Sequence, residues 1–216
     1  MNACLRIIYR LKGLSVLPAV LAVVGASTLA ANASARAEEA RIVYASDFAK
    51  GVDKAWSNHR TEGTRGDQGK RVFLGQFWND SIRLTLQDLP PHARARASFD
   101  LLTLREWSRR GPDVFNLTVD RGPRLVHSSF SNWGGRTQSF PGIIGVDEFP
   151  LQTDAAEVGD FRLTSSPTAS DAAYRIERSF AHSGDVLELV FTGISANHVK
   201  AGWGLDRVVV EVLPDR

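Results

Sequence analysis

Cysteine is almost missing from this 216-residue chain: the one copy is Cys4. No disulfide can close within the chain, and thiolate chemistry is excluded beyond the first few residues. Helical periodicity is also missing, as are internal repeats at a fixed period. No Gly-x-Ser-x-Gly elbow and no glycine-rich phosphate loop occur. His59, His92, His127, His182 and His198 show no two-to-four-residue ligand spacing, which argues against zinc. The paired, strand-borne carboxylate array of sandwich glycosidases is absent; Glu188 stands alone on its strand.

A surplus of charge is absent as well, once the first stretch is set apart. Arg6, Arg10 and Lys12 precede an apolar, Ala-rich run of 17 residues from Leu14 to Ala30. Ala35-Arg36-Ala37 then fits a small-x-small cleavage pattern, so residues 1–37 read as a signal peptide and 38–216 as one exported domain. The run falls short of the roughly 20 clearly apolar residues of a spanning helix. Cys4 lies ahead of the run, so a lipoprotein anchor is not supported. Four of the 26 basic residues (Arg6, Arg10, Lys12, Arg36) and no acid lie in the leader, which leaves 22 basic against 24 acidic groups. The alkaline pI belongs mostly to the leader, and net charge gives nucleic-acid binding no support.

What is present is β-pattern. Ile82, Leu84 and Leu86 alternate with Ser81, Arg83 and Thr85, a strand buried on one side. Arg41–Ser46, Arg71–Phe77, Ala93–Arg105, Asp113–Asp120 and Arg124–Phe130 read as further strands. The last two form a hairpin across Arg121-Gly122-Pro123. Gly75 marks a bulge or a close approach. The Leu101-Leu102 pair breaks the alternation of its strand, which predicts a bulge or deeper burial. Leu89-Pro90-Pro91-His92 breaks the chain. From Ala172 two β-rich runs flank Ser183-Gly184-Asp185, a hairpin signal. The Val-rich run after Trp203 closes the fold, and a short strand near Phe161–Thr164 is a further candidate. Ser131–Ser170 is the least regular stretch, expected to pack on the surface and to carry function. The sum is an all-β, antiparallel two-sheet sandwich of jelly-roll type with about nine strands.

Phe73-Leu-Gly-Gln-Phe77, Leu89-Pro-Pro-His92, Ser98-Phe-Asp-Leu101, Trp107, Gly111-Pro-Asp113, Leu117-Thr-Val-Asp120, Phe180-Ala-His-Ser-Gly-Asp185, Phe191-Thr-Gly193 and Trp203-Gly-Leu-Asp206 carry a resemblance. The chain resembles an uncharacterised group of secreted bacterial β-sandwich proteins, akin to carbohydrate-binding jelly rolls and concanavalin-like lectin domains. The resemblance implies binding of extracellular or cell-wall glycan. The chain departs from the group at Ser108-Arg109 and Val199-Lys-Ala-Gly202, where the group carries acidic residues. That weakens a calcium site, since calcium wants several charged oxygens.

Asp47 and Asp206, beside the first and closing strands, are the remaining candidates for a structural calcium; the plainer alternative is turn capping and backbone bonding. Sugar recognition needs aromatic platforms with planar polar partners. The loops supply Trp107, Arg109, Asp113, Asn132, Trp133 and Arg136 as expected ligand-binding residues. Trp56, Trp78 and Trp203 are assigned to packing, and His182 to a turn. The expected function is non-catalytic glycan binding by loops at one edge, in the periplasm or outside the cell. A polysaccharide hydrolase or lyase on the same fold is the alternative, with Asp100 and Asp113 or Glu106 as its pair, since Asp147 and Glu148 on a strand would face opposite ways. A structural or adhesive protein is a third.

Overall fold

The computed structural model describes residues 40–64, 71–108, 112–159, 161, 170–195 and 201–214. All belong to a unit spanning Ala37–Arg216. The expected leader, Arg109, Phe161–Thr164 beyond its first residue, and Val199-Lys200 lie outside them. The strands are β1 (Arg41–Ser46), β2 (Thr61–Gly63), β3 (Val72–Phe77), β4 (Ser81–Leu86), β5 (Arg94–Arg105), β6 (Asp113–Val119), β7 (Arg124–Phe130), β8 (Thr137–Gln138), β9 (Phe149–Pro150), β10 (Glu157–Gly159), β11 (Asp171–Ala181), β12 (Leu187–Ile194) and β13 (Ala201–Leu213). Among the described residues the count is thirteen rather than nine. The four extra strands, β2, β8, β9 and β10, are two or three residues long, too short to leave an alternating pattern.

Two sheets face each other. The larger has the order β10-β11-β5-β13-β3-β2, with β1 also paired to β13; the smaller is β4-β12-β6-β7; β8 and β9 form a separate ribbon. Among the described residues every named pairing is antiparallel. β13 is long enough to take β3 along Trp203–Leu205 and β1 along Val208–Val212 on one edge, with β5 on the other. The closing strand is therefore central to its sheet.

The smaller sheet obeys simple alternation. In β4, β6 and β12 every second residue is buried, so one face meets the core and the other meets water. The larger sheet does not. Leu101 points into the main core, while Leu102 and Leu104 join Phe73, Phe161 and Ala173 in a second cluster. The broken alternation at Leu101-Leu102 is deeper burial on both faces, without a register shift at that point. Gly75 is a site of close approach: it sits at φ 142°, and a Cβ there would stand 2.9 Å from the Trp203 carbonyl oxygen.

The Asp113–Asp120 and Arg124–Phe130 runs form the expected hairpin, β6–β7. Ser183-Gly184-Asp185 is not a hairpin turn. β11 lies in the larger sheet and β12 in the smaller, so this segment carries the chain between layers. A tight polar turn reverses the chain equally well within a sheet or across two.

Both edges of the smaller sheet are covered, which removes free strand edges. Ser57 donates to the Arg83 carbonyl and Thr85 to that of Ala55, so the 47–60 loop covers β4. Trp56 anchors that loop against Phe48 and Phe191, its Nε1 donating to the Tyr44 hydroxyl at 2.7 Å. Along β7, Phe140 donates to the Ser129 carbonyl and Ile144 to that of His127. This second covering segment builds the candidate site. Among the described residues no helix is long and apolar enough to cross a membrane.

Candidate functional site

The irregular stretch 131–150 is laid along the β7 edge by paired hydroxyls. Ser129 N donates to Ser139 Oγ at 2.8 Å, and Ser139 N returns a bond to Ser129 Oγ at 2.9 Å. Ser128 Oγ donates to the Gly142 carbonyl. Beneath, Gln138 is a buried hub. Its amide nitrogen donates to the carbonyls of Phe140 and Thr153; its oxygen accepts from Ser131 N, Gln152 N and the Tyr174 hydroxyl. Burial pushes the Tyr174 phenol up, so it remains a donor.

These contacts shape a cavity of about 430 Å³ bounded by Ser108 and Pro112 on one side and the 136–148 segment on the other. That volume is in the range of small-molecule sites. Arg136, Asp147 and Glu148 stand exposed at its rim, with Ile144 and Val146 between them. Asp147 accepts from Ile143 N at 2.8 Å, and Glu148 accepts from the Thr137 hydroxyl at 2.7 Å. Each carboxylate is thus held by one oxygen, with a second to offer. The result is a polar groove with a pre-bonded floor and a rim of donors and acceptors.

The expected ligand-binding residues divide into those at this groove and those under it. Arg136 lines it. Asp113, 1% exposed, accepts from Ser108 N at 2.7 Å and ties down the groove's opposite wall. Asn132, also 1% exposed, donates to the carbonyls of Thr103 and Arg105 and accepts from the Thr103 hydroxyl. It staples the segment to β5 and has no face toward solvent. Trp107 is a correction: at 1% exposure it packs edge-on against Phe130 and donates Nε1 to the Gly202 carbonyl. Its ring is core and offers no platform. Trp133 is half-buried beside Arg136, whose amide bonds its carbonyl at 3.2 Å. Arg109 lies outside the described residues. The sequence offers no binding signal at Ser108 and treats Asp147 and Glu148 only as adjacent acids; for Gln138, Ser139, Asp147 and Glu148 the one signal is a run of hydroxyl, amide and acid groups inside an irregular stretch. Asp147 and Glu148 lie on a loop before β9 and both line the groove.

Asp100 and Asp113, one carboxylate pair of the hydrolase alternative, sit on different sheets. Asp100 is buried on the outer face of the larger sheet under Arg175 (3.1 Å) and Arg207 (Nε at 2.6 Å). A bulge at Asp206–Val209 sends Arg207 there. Glu106 is buried.

Asp47 is exposed and accepts from Ala49 N, which closes a turn. Asp206 is buried; Arg71 Nε stands 3.0 Å from one oxygen and Arg207 N 2.7 Å from the other. A guanidinium therefore holds the position a cation would take. Among the described residues no cluster of three His, Cys, Asp or Glu groups could hold a metal. EDTA is expected to leave the melting midpoint unchanged to within about 1 °C, because Arg71 already occupies the cation position beside Asp206. A drop of several degrees that calcium reverses would overturn this.

No family model matches the chain, and no curated protein does. Among solved structures it is similar to the CBM22-1 xylan-binding domain of Paenibacillus barcinonensis Xyn10C, at 14% identity and TM-score 0.42 over 82% of this chain and 97% of that one. It is also similar to the carbohydrate-binding module CBM6cm-2 of Cellvibrio mixtus lichenase 5A, solved with cellotriose, at 9% identity and TM-score 0.34 over 81% and 99%. The EclA C-terminal domain, a sugar-binding protein, gives 14% and 0.34 over 74% and 80%. At such scores no residue role transfers from them.

Proposed function

We propose that this is an exported, non-catalytic β-sandwich that binds glycan in the groove between Ser108 and Pro112 on one side and the 136–148 segment on the other. The observation that carries the reading is the groove's composition. Hydroxyls, a guanidinium and two carboxylates with free oxygens alternate with the aliphatic Ile144 and Val146. Sugar hydroxyls both donate and accept, and sugar C–H faces need apolar contact, so the rim matches both demands. Aromatic stacking plays a smaller part than the sequence suggests: with Trp107 buried, Trp133 is the remaining loop ring. A floor whose polar groups are already bonded costs little to order on binding.

Calorimetric titration with soluble cell-wall and plant polysaccharide fragments tests the reading. Arg136→Ala is expected to weaken binding about tenfold, roughly 1.4 kcal/mol, without shifting the melting midpoint. Absence of binding to every fragment, or equal affinity of the variant, would discard it. The hydrolase reading has one observation in its favour, the presence of Asp147 and Glu148 in one groove. Release of reducing ends by the wild type, lost in Glu148→Gln, would establish that reading instead.

A further inference from the structure

Two segments cross between the sheets side by side. Residues 87–93 lead from β4 to β5, and residues 182–186 lead from β11 to β12. They are joined by backbone bonds, Leu89 N to the Asp185 carbonyl (2.9 Å) and His182 N to the Ala93 carbonyl (3.1 Å). Between them His92 Nε2 lies 2.8 Å from His182 Nδ1. The rings are 19° from parallel with centroids 5.1 Å apart. Stacked faces would hold the nitrogens about 3.5 Å apart or more, so the rings are near-coplanar and meet edge to edge.

The outer nitrogens decide the protonation. His92 Nδ1 is 2.6 Å from the Pro90 carbonyl oxygen, and His182 Nε2 is 3.2 Å from that of Val186. A carbonyl only accepts, so each outer nitrogen carries hydrogen. A neutral imidazole has one N–H. Both inner nitrogens would then present bare lone pairs to each other, which a 2.8 Å contact does not allow.

We propose that His92 and His182 share one proton and clamp the two crossings together, as a pH-sensitive lock between the sheets. With that proton all three bonds form: ring to ring, His92 to Pro90, and His182 to Val186. Without it one is lost, and the longer Val186 contact is the one to yield. A second proton puts two cations in contact. Burial, followed by the charge on His92, lowers the titration point of His182, with the Val186 carbonyl opposing. The charged groups on the flanking segments are Asp88, Asp185 and Arg94, all exposed. Phe180 packs its edge against His182, and β13 contributes the Leu213 carbonyl, bonded by Ala93 N.

The sign follows from linkage. The bonds that require the shared proton exist only while it is bound, so their contribution fades as pH rises through that step. The second proton is bound less readily, so stability is lost as pH falls through the ordinary histidine value of about 6.5. The lock is tightest between the two steps, which belong to the pair and not to either ring.

Nitrogen-15 NMR of the histidine rings in the full chain, titrated from about pH 5 to 9, tests this. The expected result is a far-downfield bridging proton near neutrality and two steps more than one pH unit apart. In His182→Gln the bridging signal is expected to vanish and the remaining ring to titrate in one step. A single common step in the wild type, with no bridging proton, would overturn the proposal. So would ring spectra that change on adding EDTA, because the lone pairs would then face a metal.

Discussion

Replacing Trp203 with alanine is expected to lower the unfolding free energy by about 3–5 kcal/mol, the cost of emptying a large core site. Trp203 is fully buried where the sheets meet. Its ring lies 5.0 Å from Phe77 and 5.4 Å from Phe115, centroid to centroid. Its Nε1 donates to the Trp78 carbonyl at 2.8 Å, so truncation also strands an acceptor. The surroundings cannot easily collapse, because the ring already fills the space over Gly193. A Cβ at Gly193 would stand 2.2 Å from the indole nitrogen. A domain of this size loses roughly 2–4 °C of melting temperature per kcal/mol, so a fall of about 10 °C is expected. Thermal and urea melts followed by circular dichroism measure it. A loss below about 1 kcal/mol would mean that the sheets do not pack through this ring.

Trp203 also shows what the sequence made legible. A Val-rich run behind a large aromatic was readable as the closing strand, since a short continuous apolar run marks a strand buried on both faces. The β6–β7 hairpin was readable because its partners are sequence neighbours on one sheet. The Ser183–Asp185 corner was not: its residues set the sharpness of the turn, while the assignment of β11 and β12 to different layers depends on β5 and β4, some eighty to a hundred positions away. Burial of loop residues was equally hidden. Trp107 and Asn132 lie between strands in a polar context, yet tertiary contacts with Phe130, Gly202, Thr103 and Arg105 draw them inside. The groove inherits both limits. Arg136 was readable as a loop cation, whereas Ser108 joins it only because the β5–β6 connection and the 136–148 segment meet at the β7 edge.

The stability of the protein is expected to carry a penalty from Asp206 that grows between about pH 4 and pH 6. Burial pushes this carboxyl from its ordinary 3.8 up to about 6, and the negative charge of Asp100 adds to the push. The Arg207 amide, Arg71 and the Arg207 guanidinium pull the other way without prevailing. Two observations thus oppose each other, a 3.0 Å ion pair with Arg71 and a raised titration point. Desolvation outweighs the pair because the carboxylate is buried and Arg71 is shared with Glu157 at 2.6 Å. The sign is then fixed. Across that window the folded chain keeps a proton the unfolded chain has released, so stability falls as pH rises. Two pH units correspond to an order-of-magnitude cost of about 2–3 kcal/mol at neutral pH. Asp206→Asn is expected to remove that slope and to be neutral or stabilising at pH 7, since Arg71 retains Glu157. The remaining ionisable groups are common to wild type and variant. The informative quantity is therefore the difference between wild type and variant, measured in urea at pH 4.5 and 7. A variant weaker than wild type by more than about 1 kcal/mol at pH 7 would show that the Arg71 pair outweighs the cost of burying the charge.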